Sequence, residues 1–230
     1  MFERKKVAML VAEMIGTFAL TCAVFAMAGR TSFPFFAALS AGLTLAIMVL
    51  VIGPISGSHI NPAVTVGMWT MKKISTLMAL LYIAAQFVGA ILALRMNQYF
   101  LAQPIKNSVT SNFDWKILIA EGIGTLVFTF GIAAAVYGKY EGGKLAAAIG
   151  GSLFVGVLIA SYGSNGVLNP AVALGIGSWN TAYLLGPIVG AILGMNLYGM
   201  LFADKPSGFA AETIASQTST KSKPKSKKKK

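Results

Sequence analysis

Apolar positions in this chain come in long unbroken runs, without the alternation of a half-buried strand or the single stripe of a surface helix. Six runs, roughly 7–29, 33–53, 75–101, 117–138, 145–163 and 180–203, meet the length of about 20 residues that carries a helix across a bilayer core. The first follows a basic start but is too long for a leader and is followed by more of its kind, which predicts an uncleaved span. Two shorter apolar segments, 61–70 and 169–178, lie after the second and fifth runs, and each opens Asn-Pro-Ala. Ten helical residues reach about 15 Å, half the bilayer core, so these two predict half-helices.

The halves of the chain repeat one another. Ala-Glu-Met-Ile-Gly-Thr at 12–17 returns as Ala-Glu-Gly-Ile-Gly-Thr at 120–125, and Asn-Pro-Ala-Val at 61–64 returns at 169–172, both 108 residues later. Val-Gly-Ala-Ile-Leu at 88–92 returns at 189–193, an offset of 101, so one connection is shorter in the second half. Each unit, about 7–101 and about 115–203, holds three full spans. Three is odd, so the two units must enter the membrane in opposite directions, an arrangement that places function on broken helices at the midplane. The expected fold is an all-α membrane protein, an inverted repeat of six transmembrane helices plus two half-helices over 7–203, between a short segment 1–6 and a tail 204–230.

Composition agrees: 56% of the 230 residues are hydrophobic and only 11% charged, where a soluble domain carries about a quarter. Of the net charge of +12, seven lysines belong to the last ten residues, so the basic balance is no sign of nucleic-acid binding. Arg4, Lys5, Lys6, Lys72, Lys73, Lys139, Lys144 and Lys205 fall on one side of the spans with that tail; Arg30, Arg95, Lys106 and Lys116 fall on the other. The positive-inside rule then puts both termini in the cytoplasm of a multi-pass protein, with the cell membrane as its expected host. The tail lacks apolar periodicity and reads as disordered, either solvated or lying on anionic lipid. Cys22 is the single cysteine, so no disulfide closes within the chain.

The paired Asn-Pro-Ala boxes carry the chemistry. Asparagine caps a helix start and proline fits its first position, where the missing N–H costs nothing. Two such half-helices entering from opposite faces meet head to head, and their N-termini, about +0.5 charge each, repel cations. The amides of Asn61 and Asn169 are expected to point into a pore and donate hydrogen bonds to a passing oxygen. A water so held is turned away from relaying protons. The irregular stretches 56–60 and 164–168 are tolerable at that depth only beside a water-filled path. Glu13 and Glu121 are intramembrane carboxylates, costly without partners, and each must have one.

These motifs, with Ile-Ser-Gly-Ser-His-Ile-Asn-Pro-Ala-Val-Thr at 55–65 and Leu-Asn-Pro-Ala-Val at 168–172, resemble the aquaporin or major intrinsic protein family over nearly the whole of 7–203. The resemblance implies that Asn61, Pro62, Ala63, Asn169, Pro170 and Ala171 form the central constriction. It also implies that Glu13 and Glu121 anchor the loops before the half-helices, and that four subunits assemble, each with its own pore. The family's outer filter maps onto Ala41, Val157, Gly166 and Val172. Arginine typically stands where this chain has Val172, which makes it an atypical member whose filter is expected to be wide and apolar.

The expected function is a passive channel for water and small uncharged solutes, with glycerol, urea and ammonia as candidates. Its partners are the lipid bilayer, its own copies in a homotetramer, and the solutes. The alternatives are a poorly conducting junctional or scaffold protein of the same fold, and an ion-permeable channel. No nucleophile–base pair, phosphate loop or metal-ligand cluster is visible in the sequence, so neither an enzyme nor a cofactor is expected. His59, the single histidine, reads either as a gating residue or as a satisfied loop residue. Gly186, Gly190 and Gly194 mark close helix packing.

Overall fold

The structure, a computed structural model, describes residues 3–27, 34–110 and 112–203; the tail 204–230 lies outside the described residues. Among them are six helices long and apolar enough to span a membrane: α1 (Arg4–Met27), α2 (Pro34–Val51), α5 (Thr76–Leu101), α6 (Trp115–Tyr137), α7 (Gly142–Ala160) and α9 (Thr181–Phe202). Three short helices complete the set: α3 (Gly53–Ser56), α4 (Pro62–Thr70) and α8 (Pro170–Gly175). The expected all-α architecture is present. Several boundaries differ from the sequence reading, α7 for one running Gly142–Ala160 where 145–163 was expected. Helix α1 already begins at Arg4, within the segment set apart as 1–6. Helix α3 takes Ser56 out of the loop before the first Asn-Pro-Ala. The second half-helix closes at Gly175, where Gly177 turns the chain with φ of 73°.

The duplication is visible in the packing. Helix α1 lies along α5, and its counterpart α6 lies along α9; α2 and α7 meet across the two units. Each half-helix leans on the last span of the opposite unit, α4 on α9 and α8 on α5. The halves therefore interlock and share one core.

Glycines set the closest approaches. On α9, Gly186, Gly190 and Gly194 face the backbone carbonyls of Leu118, Gly122 and Leu126 on α6, and Gly89 on α5 faces Met14 O on α1 in the same way. Apolar attraction between helices is weak in lipid, so such contacts supply much of the packing energy. Valine at Gly190 would run into backbone atoms of Gly122. Gly190→Val is expected to lose most of the folded protein recovered by size-exclusion chromatography, while Gly151→Ala, with nothing within 4 Å, is expected to match wild type.

Candidate functional site: a central constriction and its vestibule

The stretches before the half-helices hold unusual backbone. Gly57, Ser58 and Ile60 have φ of 89°, 52° and 39°, and Gly166 and Leu168 have 62° and 55°. Positive φ costs a side chain about 1–3 kcal/mol, most for a β-branched residue such as Ile60, and persists only where the surroundings enforce it. The buried carboxylates do so. Glu13 accepts from the Ser56 hydroxyl at 2.7 Å, His59 N at 2.9 Å, Ile60 N at 2.6 Å and Gln86 Nε2 at 2.8 Å. Glu121 repeats this in the second unit, accepting from Ser164 Oγ at 2.7 Å, Val167 N at 3.0 Å and Leu168 N at 2.6 Å. The partners that these carboxylates require are thus hydroxyl, amide and backbone donors. Tyr82 adds a bond from its hydroxyl to Ser56 O, and Tyr183 accepts at its own from Asn165 N.

The twisted loops aim Ile60 O and Leu168 O at the opposite unit. Asn61 caps α4, its Oδ1 accepting from Ala63 N at 2.8 Å, while its Nδ2 donates to Leu168 O at 2.8 Å. Asn169 caps α8 through Ala171 N and Val172 N, and its Nδ2 donates to Ile60 O at 2.9 Å. Pro62 and Pro170 take the first helical position in each half-helix, and Ala63 and Ala171 are fully buried behind them. The sequence reading assigned the amides to solute alone. In the structure each spends one N–H on bracing the other half and keeps one.

Two cavities adjoin here, the smaller of them at this brace. A space of about 10 Å³ is lined by Asn61, Asn169, Ala41, Val172, Leu20 and Phe128, among others. A cavity needs roughly 10–15 Å³ of occupied volume to hold one water molecule. Beyond it opens a vestibule of about 420 Å³, on the side where α6 ends and α7 begins, walled mainly by Val49, Met68, Ile132 and Leu145, with Glu141 lining it too. His59 and Phe128 line both spaces and stand at their junction.

The four filter positions divide. Ala41 and Val172 line the constriction, whereas Val157 and Gly166 are buried against each other, a Cβ at Gly166 falling 2.8 Å from Val157 O. The space that Ala41 and Val172 border holds about 10 Å³. Small residues at those two positions leave room, and Leu20, Val24, Leu45, Leu153 and Phe128 take it up. Sequence reasoning missed these five because pore-facing and lipid-facing positions of a membrane helix are equally apolar.

A family model described as Major intrinsic protein matches residues 34–198. The chain belongs to that family. Human (Homo sapiens) Aquaporin-4 is 36% identical to this major intrinsic protein over 179 residues, 70% of this chain and 54% of its own length. The chain thus spans about half the length of that relative. An aquaporin-related Arabidopsis thaliana protein, NIP4-1, is 32% identical over 215 residues, 86% of this chain and 76% of its own length. The X-ray structure of the aquaglyceroporin from Plasmodium falciparum covers 90% of this chain and 99% of its own, with a TM-score of 0.62 at 21% identity, a likeness of fold. Proteins of this family are channels and not enzymes.

Proposed function

We propose that this major intrinsic protein conducts water passively, in single file, through the space between Asn61 and Asn169. The observation that carries the reading is the pairing of two capped half-helix starts, each with a spare amide N–H, on a cavity the size of about one water. A water there accepts from the asparagines, and the converging helix ends disfavour a cation. The apolar walls offer few competing partners, which keeps passage fast.

The same constriction ranks solutes. Ammonia is close to water in size and fits. Glycerol and urea are larger and need the walls to move, so they are expected to pass more slowly than water. The filter reading is kept for Ala41 and Val172, which bound the constriction, with Val157 and Gly166 supporting it from behind. Charge asymmetry supports a reading with the vestibule and both termini on the cytoplasmic side, in the cell membrane. Four copies assemble, using some of the exposed apolar faces, Leu43 and Ile47 on α2 among them.

Stopped-flow light scattering on proteoliposomes tests this, with a sucrose gradient and then a glycerol gradient. Water flux well above that of empty liposomes, with slower glycerol entry, is the expected result. Folded, tetrameric protein that adds no water flux would sink the channel reading in favour of a scaffold role, and a salt-dependent current would favour an ion channel.

A further inference from the structure

Superposing the two units in sequence pairs residues of the same task. Glu13 pairs with Glu121, Ser56 with Ser164, Ile60 with Leu168 and Asn61 with Asn169 at the offset of 108, and Tyr82 pairs with Tyr183 at 101. Among the positions that differ, three carry a polar side chain in the first unit and an apolar one in the second: His59 against Val167, Thr65 against Ala173, and Gln86 against Pro187. In the fold these three touch. His59 Nδ1 lies 3.2 Å from Thr65 Oγ1, and Gln86 Nε2 lies 2.9 Å from the same oxygen. The second unit builds the same carboxylate-held loop and capped half-helix without any of them. The polar set is therefore an addition to the scaffold, gathered around one ring.

Hydrogen-bond direction can be followed through it. Glu13 Oε2 takes Gln86 Nε2 at 2.8 Å, which fixes the amide, because a carboxylate would repel the carbonyl end. Gln86 Oε1 is left without a partner among the described residues, a cost incurred to aim the nitrogen. The second hydrogen of that nitrogen goes to Thr65 Oγ1, which therefore accepts. Thr65 has a single hydroxyl proton and donates it to Asn61 O at 3.0 Å. Its oxygen then meets His59 Nδ1 as an acceptor, and Nδ1 carries the ring proton. Turning the hydroxyl toward Nδ1 would give up the bond to Asn61 and leave one bond fewer. Nε2 has no protein partner among the described residues, on a ring that lines both cavities.

We infer that Thr65 and Gln86 position the His59 ring so that its Nε2 is presented to the solute path as a hydrogen-bond acceptor at the mouth of the constriction. A water entering from the vestibule donates to Nε2, which turns its oxygen toward the donors Asn61 and Asn169. Acceptor first and donors second orient the molecule before it reaches the centre. The path thereby favours solutes that carry hydrogen-bond donors, and Thr65 and Gln86 act on it through His59. The transport half of this inference rests on the channel reading above; the state of the ring does not.

One histidine in the chain makes the ring directly observable. Protein labelled with ¹⁵N-histidine and held in lipid bilayers at neutral pH is expected to show a protonated, pyrrole-type Nδ1 and an unprotonated, pyridine-type Nε2. In Thr65→Val, of nearly the same shape, the signals are expected to become a mixture of both tautomers, and Thr65→Ser, which keeps the hydroxyl, is expected to restore the wild-type pattern. Should the valine variant not fold, Thr65→Ala replaces it, carrying the residue the second unit uses. A proton on Nε2 in the wild type overturns the inference, and so does an unchanged ring in Thr65→Val. Water permeability is expected to fall severalfold in Thr65→Val; unaltered permeability beside an altered ring overturns the role in transport. Wild-type protein without water flux would remove the channel reading alone, since the ring signals are read without transport.

Discussion

Alanine in place of Glu13 is expected to abolish most of the folded protein, and alanine in place of Glu121 to cost stability less completely. Four buried donors converge on Glu13 and three on Glu121. A buried donor left without its acceptor costs about 1–3 kcal/mol, and the bilayer supplies no water to replace the carboxylate. The same removal releases Ile60 from a positive φ that costs roughly 1–3 kcal/mol to hold. Four orphaned donors outweigh that relief, and the net loss, about 4 kcal/mol or more, is a large share of the 5–15 kcal/mol typical of a folded domain. Glu13→Gln keeps one acceptor oxygen but turns an NH₂ group toward donors, so it should fall between alanine and wild type. The check is the fraction of folded protein surviving a heating series in detergent. A Glu13→Ala protein as heat-resistant as wild type would show that the carboxylate does not hold the loop.

Phe128→Ala is expected to raise glycerol permeability relative to water by about tenfold, which corresponds to roughly 1.4 kcal/mol off the barrier. Phe128 is 2% exposed and borders both the constriction and the vestibule, so losing its ring joins the two spaces. The substitution also costs packing, about 3–5 kcal/mol for a buried phenylalanine, and Phe128→Leu serves as the milder companion with an intermediate shift. Glycerol and water fluxes measured on the same liposomes decide the matter. An unchanged ratio in folded protein would place the narrowest point elsewhere along the path.

Much of the architecture was legible in the residues because the bilayer imposes a coarse rule, a run of about twenty apolar residues per span. The Asn-Pro-Ala boxes announced their own caps, and the repeat of Ala-Glu-x-x-Gly-Thr located both carboxylates before any contact was known. What escaped was anything requiring direction around a helix axis. On α2, Leu45 is 2% exposed while Leu43 and Ile47 are more than half exposed, though all three are the same kind of residue. In water the buried side of a helix is marked by contrast with a polar side, and in lipid that contrast is gone. The filter was accordingly read as wide from the missing arginine at Val172, while Leu20, Val24 and Phe128, which line the same space, were indistinguishable from lipid-facing neighbours. Helix α3 was hidden for another reason. Four residues containing Gly53 and Pro54 carry no periodicity, and the turn exists because Gly57 N returns to Gly53 O.

The exchange of hydrogen bonds between Asn61 and Leu168 O, and between Asn169 and Ile60 O, ties each unit's cap to the other's loop. Were the two units separate, identical polypeptides paired about a twofold axis, every substitution would fall on both mouths at once, and a histidine gained on one side would be gained on the other. Joining them in one chain removes that constraint. It lets an imidazole sit at one entrance and the isopropyl group of Val167 at the matching place across the axis, so a scaffold built by symmetry can carry a path with a distinct front and back.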